Sequence, residues 1–238
     1  MTTPKRPHAF HTTRWTCVCA AKSDSEEGQR ALEILCDTYY EPVVAYLRMV
    51  LGNADVARDM SHAFFAEMLA GGRIAGAEQE RGKFRSYLLG AVKHFVLRQR
   101  EAAGRLKRGG GMEALTLDAD EELQVEDAQQ SAPDAEFDRQ WAMTVIARSL
   151  AALREQCVAE GRGAFFDAVS PLLNGNASHG EQTVIAEACG MSFDALRMAV
   201  TRLKRRLRDC VKAEVQSTLT EPAGVQEEMR SLFAALSR

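Results

Sequence analysis

Apolar residues in this chain recur at three- and four-residue steps nearly from end to end, and strand-like alternation is hard to find. That period belongs to a buried helix face, so the expected fold class is all-α. Leu32, Leu35, Cys36, Tyr39, Tyr40, Val43, Val44 and Leu47 form one stripe. Pro42 inside it predicts a kink or break near Glu41, because proline lacks the helix N–H and crowds the preceding turn. After a turn at Gly52 and Asn53, a second helix is predicted from Asp55 to Leu69, with Val56, Met60, Phe64 and Met68 on one stripe. A third runs from about Phe84 to Ala103. A new pattern begins at Phe137 and continues through Trp141, Val145, Leu150, Leu153 and Cys157 to Gly161. Phe165, Phe166, Val169, Leu172 and Leu173 form a short helix stopped by Asn174 and Gly175.

Charge is segmented along the 238 residues. Between Arg81 and Arg108 there are nine Lys/Arg and one acid, and between Glu113 and Asp138 ten acids and no base. Between Arg197 and Lys212 there are seven Lys/Arg and one acid. The acidic stretch lacks aromatics until Phe137 and carries few apolar side chains before it, which suits a flexible tether. The expected architecture is therefore two small helical domains joined by an acidic flexible linker, the second holding a helix-turn-helix. The boundaries fall at 1–108, 109–135, 136–218 and a helical tail at 219–238. Two separated basic clusters suggest two contacts with a polyanion, and the plainer alternative is two solvated helix faces.

Several function classes fall away. No apolar run approaches the ~18 residues of a membrane span, and the basic N-terminus lacks the apolar core of a secretory signal, so a cytoplasmic protein is expected. The six cysteines form no C-x-x-C pair. Cys17 and Cys19 with His8 and His11 are a loose metal candidate, whereas Cys36, Cys157, Cys189 and Cys210 lie on apolar stripes and read as small buried hydrophobes. There is no H-E-x-x-H, P-loop or G-x-S-x-G, so neither an enzyme nor a cofactor is expected. Asp55, Asp59 and Glu67 share a helix, but at the spacing of a solvated face.

The sharpest local signal is QTVIAEACGMSFDALRMAVTRLKRRLRDCV. Gln182 to Cys189 makes two helical turns, Gly190 stops them, and Ser192 is placed to cap the next helix. That helix carries Leu196, Val200, Leu203, Leu207 and Val211 on one face and Arg197, Thr201, Lys204, Arg205 and Arg208 on the other. Ala186 suits a close approach of the two helices. In a helix-turn-helix the second helix enters the major groove. Arg197, Met198, Thr201 and Arg202 are at the depth of base edges, while Lys204, Arg205 and Arg208 fit phosphate contacts. The alternative is a plain amphipathic pair.

Further upstream, RGKFRSYLLGAVKHFVLRQREAAGRLKRGG interleaves aromatics with bases. Phe84, Leu88, Val92, Phe95 and Gln99 follow one stripe, on which Phe95 reads best as core. Tyr87, Ala91, His94 and Arg98 follow a neighbouring stripe flanked by Arg85 and Lys93, a composition that can stack on unpaired bases and hold phosphates. Taken singly, His94 reads more readily as an ordinary surface or core histidine.

Together the phrases ADVARDMSHAFFAEML, ERGKFRSYLLGAVKHF and QTVIAEACGMSFDALRMAVTRLKRRL, in that order, resemble the extracytoplasmic-function (ECF) sigma factors of bacterial RNA polymerase, over roughly Trp15 to Leu236. The resemblance implies a polymerase subunit without catalytic activity of its own. Its first domain would bind the clamp helices of core polymerase through Asp59, Met60 and His62. It would also open the promoter −10 element and hold the single strand through Phe84, Arg85, Tyr87, Lys93, His94 and Arg98. The acidic linker would thread the polymerase interior. The second domain would sit on the flap and read the −35 element through Arg197, Met198, Thr201, Arg202, Lys204 and Arg205. Such a protein is cytoplasmic, nucleoid-associated when bound to polymerase, and many relatives are held by an anti-sigma factor. This chain departs from the family pattern at Val56, His62, Ala63, His94, Phe193 and Asp194. The alternative is a stand-alone helix-turn-helix DNA-binding transcriptional regulator.

Overall fold

The computed structural model describes residues 26–70, 83–109, 132–173, 179–219 and 222–237. Among these residues the fold is all-α, with eight α-helices, one 3-10 turn and no strand. The helices are α1 (Glu26–Leu51), α2 (Ala54–Ala70), α3 (Phe84–Gly109) and α4 (Ala132–Ala159), then α5 (Gly163–Leu173), α6 (His179–Ala188) and α7 (Phe193–Gln216). The 3-10 turn at Pro222–Gly224 leads into α8 (Val225–Leu236).

The apolar stripes become two cores. In the first, Leu35, Tyr39, Val43 and Leu47 of α1 meet Phe64 and Met68 of α2, Phe84, Leu88, Val92 and Phe95 of α3, and Phe137, Trp141 and Val145 of α4. Val211 and Val215 from the end of α7 and Val225 and Leu232 of α8 complete it. In the second, Leu153 and Cys157 from the end of α4 pack with Phe166, Val169 and Leu172 of α5, Ala186 of α6, and Leu196 and Leu203 of α7. Each large side chain so buried contributes about 1.5–3 kcal/mol against the unfolded chain. α4 and α7 both run from one core into the other, so they tie the N-terminal helices to the C-terminal ones.

Four local expectations are revised. α1 does not break at Pro42. Its neighbours Thr38, Tyr39 and Val43 are all buried, and that packing holds the helix across the missing N–H. Of the predicted α2 stripe, Phe64 and Met68 are buried and Met60 is half-buried, but Val56 is 45% exposed, and Ala57, Ser61 and Phe65 complete the buried face. The start of α2 is fixed by Asn53, whose Oδ1 accepts the N–H groups of Asp55 (2.9 Å) and Val56 (3.1 Å). α3 runs on to Gly109 rather than ending at Ala103, since a single glycine such as Gly104 costs a helix only about 1 kcal/mol. The last residues assigned to the linker, 132–135, are the first turn of α4; positions 110–131 lie outside the described residues. No helix among the described residues is long and apolar enough to cross a membrane.

Candidate nucleic-acid interface

The connection between α6 and α7 is built from backbone chemistry that the sequence specifies. Gly190 adopts φ +63°, in the left-handed region that favours glycine. Its N–H donates to the Glu187 carbonyl at 3.0 Å, and the Met191 N–H to the Ala186 carbonyl at 2.9 Å, so the end of α6 is closed by paired hydrogen bonds. Ser192 follows in extended conformation, and its Oγ accepts the Ala195 N–H at 3.2 Å. With Ala186 buried at the crossing, Leu196, Ala199 and Leu203 point inward. This leaves Arg197, Met198, Thr201, Arg202, Lys204, Arg205 and Arg208 exposed. Met198 is 58% exposed. The Thr201 hydroxyl donates to the Arg197 carbonyl at 2.9 Å.

No ion pair to Arg197, Arg202, Lys204, Arg205 or Arg208 occurs among the described residues. Arg206, between two of them, behaves differently. Its guanidinium grips Glu160 at the end of α4 through two hydrogen bonds of 3.0 and 2.7 Å and reaches Gln156 at 3.1 Å. Hydrogen bonding from Arg206 holds the Glu160 carboxyl below its ordinary pKa. Arg206 therefore fastens α7 to α4, and its neighbours are left to face outward.

The basic residues of α3 divide into two sets. Tyr87, Ala91, His94 and Arg98 line a mostly apolar cavity of about 530 Å³ between α2 and α3, with Phe64 and Met68 on the opposite wall. Arg98 Nη1 donates to Glu67 Oε1 at 2.7 Å, which fixes the guanidinium at the rim. His94 is exposed at the mouth. A flat aromatic ring, an imidazole and a guanidinium around an apolar floor can receive a planar base.

Phe84, Arg85 and Lys93 face elsewhere. Phe84 is in the core, edge-on to Tyr39 at 5.2 Å, and does not reach the surface in this conformation. Arg85 is only 9% exposed. Its guanidinium lies 4.4 Å above the Trp141 ring, bonds to Asp138 of α4, and donates from Nε to Glu228 Oε1 of α8 at 3.1 Å. Burial opposes the Arg85 charge, but the carboxylates of Asp138 and Glu228 outweigh it and hold its pKa above the ordinary value. Lys83 also pairs with Glu228, itself 1% exposed, and Lys93 Nζ pairs with Asp134 of α4 at 2.7 Å.

Asp59 and His62 are exposed on α2, with Met60 half-buried between them. The His62 ring stacks on Tyr40 at 5.5 Å and shares a 2.9 Å hydrogen bond with its hydroxyl. That contact explains how a histidine is held on this surface. The groups that sequence reasoning missed are Asp138, Trp141 and Glu228. A signal for Glu228 existed, since of the adjacent Glu227 and Glu228 it is the one three residues from Val225 and four from Leu232, on their helix face.

Among the described residues no group of three His, Cys, Asp or Glu could hold a metal ion. Cys17, Cys19, His8 and His11 lie outside the described residues. Cys157 is buried, and Cys36, Cys189 and Cys210 are partly so. Burial, ahead of smaller charge effects, raises the thiol pKa of both Cys36 and Cys210, which disfavours thiolate chemistry. No family model, no curated protein and no solved structure gives a significant match to this chain.

Proposed function

We propose that the chain is a sigma factor of the extracytoplasmic-function type, a subunit that gives core RNA polymerase its promoter specificity and assists DNA opening. The observation that carries this reading is the outer face of α7. It is a helix capped by Ser192 after a tight glycine turn, presenting Arg197, Arg202, Lys204, Arg205 and Arg208 to solvent without carboxylate partners among the described residues. α6 and α7 are then a helix-turn-helix whose second helix enters the −35 major groove. Arg197, Met198, Thr201 and Arg202 meet base edges, and Lys204 and Arg205 meet phosphates.

The cavity between α2 and α3 is the site for an unpaired −10 base, with Tyr87 stacking and His94 and Arg98 at its edge. Asp59, Met60 and His62 form the contact for the polymerase clamp. Residues 109–135 link the two functional regions, and an anti-sigma factor remains a partner class to test. No cofactor enters the scheme.

Gel filtration of the purified chain with bacterial core polymerase, without DNA, tests the reading. A stoichiometric complex is expected, followed by run-off transcription from promoters selected with that complex. Failure to co-elute, together with specific duplex binding by the chain alone, would replace it with the stand-alone regulator. Tyr87→Ala should impair permanganate-detected promoter opening more than −35 duplex binding. Normal opening would remove Tyr87 from the single-strand site.

A further inference from the structure

We infer that α7 reads a thymine of the −35 element by its 5-methyl group, with Met198 as the side chain that makes the contact and Thr201 beside it. The inference rests on the helix-turn-helix of the proposed function and names the base chemistry that this site selects.

The register of α7 decides which side chains can meet a duplex. The Gly190 turn and the Ser192 cap fix where the helix begins, and Leu196, Ala199 and Leu203 are buried. Residues at three-, four- and seven-residue steps share a helix face. Asp194, Met198, Thr201, Arg202 and Arg205 stand at those steps from Met198, and all are exposed. Met198 is therefore in the middle of the outward stripe, between a carboxylate one turn before it and two guanidinium groups after it.

The charged members of the stripe can be matched by hydrogen-bonding base edges or by phosphates. Met198 cannot, because a thioether is at best a weak acceptor. In the major groove the base pairs differ in their donors, their acceptors and one apolar group, the thymine methyl. Set against a donor or acceptor, a methionine would strip its water and return no hydrogen bond. Set against the methyl, it buries apolar surface on both sides, and its flexible, polarisable chain can adjust to the fit.

Thr201 supports the same choice. Its hydroxyl donates to the Arg197 carbonyl at 2.9 Å, so its one proton is spent within the helix. What it keeps for a base is a methyl group and an oxygen that can only accept. Threonine methyls are among the groups that pack on thymine. Met198 and Thr201, one turn apart, make a small apolar spot inside a basic face. Exposure alone does not carry the argument. Met143 of α4 is 46% exposed with no place in the helix-turn-helix, and it serves as the control.

The test uses the full-length chain with core polymerase and the promoter duplex which that complex selects, fluorescein-labelled and read by anisotropy at fixed salt. Each thymine of the −35 element, on either strand, is replaced singly by uracil. The exchange removes the methyl and leaves every hydrogen-bonding edge in place. At one position uracil should weaken wild-type binding about fourfold, the worth of one buried methyl group. Met198→Ala should bind the unmodified duplex at least fourfold more weakly and should not distinguish thymine from uracil at that position. Met143→Ala should behave as wild type. The uracil scan needs no variant, so it stands whatever Met198→Ala does to folding.

Uracil tolerated at every −35 position would overturn the inference and leave the helix-turn-helix standing. So would a selected −35 element without thymine, or a Met198→Ala chain that still prefers thymine to uracil. If the chain selects a duplex only without polymerase, the sigma-factor reading falls and the same scan on that duplex decides the inference. Failure to select any duplex, with or without polymerase, would bring down the helix-turn-helix reading and the inference together.

Discussion

α3 and α7 are two basic helices of almost equal length, 26 and 24 residues, and the structure treats them in opposite ways. Lys83, just before α3, and Arg85 and Lys93 on it are met by carboxylates from α4 and α8, and Arg98 by Glu67 of α2. On α7, among the described residues, only Arg206 is turned toward a carboxylate, and the cations around it face solvent. The difference teaches that a run of Lys and Arg is not itself a binding surface. What decides is whether the fold brings acids to the same face. The ten-acid stretch between Glu113 and Asp138 has its last members in α4, and two of them, Asp134 and Asp138, neutralise α3.

The largest effect that could break this contrast is Arg85→Ala. It strands Asp138, leaves Glu228 to Lys83 alone, and should cost about 3 kcal/mol in urea unfolding, whereas Arg205→Ala should stay within about 0.5 kcal/mol. A cost for Arg85→Ala well short of its expected value would mean that α4 and α8 detach and rehydrate the carboxylates first.

Next is a test of the burial of Tyr46 on α1, beside Asp134. Burial, then the Asp134 charge, push the Tyr46 hydroxyl up to about 12, with Arg100 opposing them. Its unfolded value is about 10. Between these values the unfolded chain loses the proton and the folded chain keeps it. This contribution to stability is therefore complete below pH 10 and declines by about 1.4 kcal/mol per unit as pH rises toward 12. Tyr46→Phe should flatten that part of the curve, measured as urea midpoints at pH 9.5 and 11.5. Equal slopes in the two proteins would mean that the Tyr46 hydroxyl is not held above its ordinary value in the folded chain.

On α7, Arg197→Ala should cost about 1–3 kcal/mol of discrimination at one −35 base pair and leave unfolding unchanged. Equal loss on all sequences would make Arg197 a phosphate contact. The smallest effect is expected from Lys204→Ala, which should reduce the slope of log affinity against log salt by about one. An unchanged slope would remove Lys204 from the backbone contacts.

Most of the helical content was legible in the sequence because period and capping are local. The stripes Leu35–Tyr39–Val43–Leu47 and Phe84–Leu88–Val92–Phe95 are buried as their spacing requires, and Gly190 and Ser192 end and begin helices as their chemistry dictates. The site was legible in part. Tyr87, His94 and Arg98 do line one cavity, because residues seven and eleven apart share a helix face. The burial of Arg85 was not readable, since its partners lie 53 and 143 residues away and no local pattern names them. Nor was the difference between Arg205 and Arg206, neighbours on one helix, which depends on where Glu160 ends α4. Val56 misled because an apolar residue at the right spacing was taken for core, when the packed face of α2 begins one residue later at Ala57.

The 143-residue separation of Arg85 and Glu228 also sets an order of events during synthesis. At about 5–20 residues per second, roughly 7 to 30 s pass between translation of Arg85 and translation of Glu228. Helices α1 to α3 leave the ribosome first and must remain soluble without α8, whose Val225 and Leu232 help to cover their apolar faces. Throughout that interval Lys83 and Arg85 have no Glu228 to meet, so the charge pattern of the nascent chain differs from that of the finished one. A transcript truncated before α8 would fix that transient state permanently.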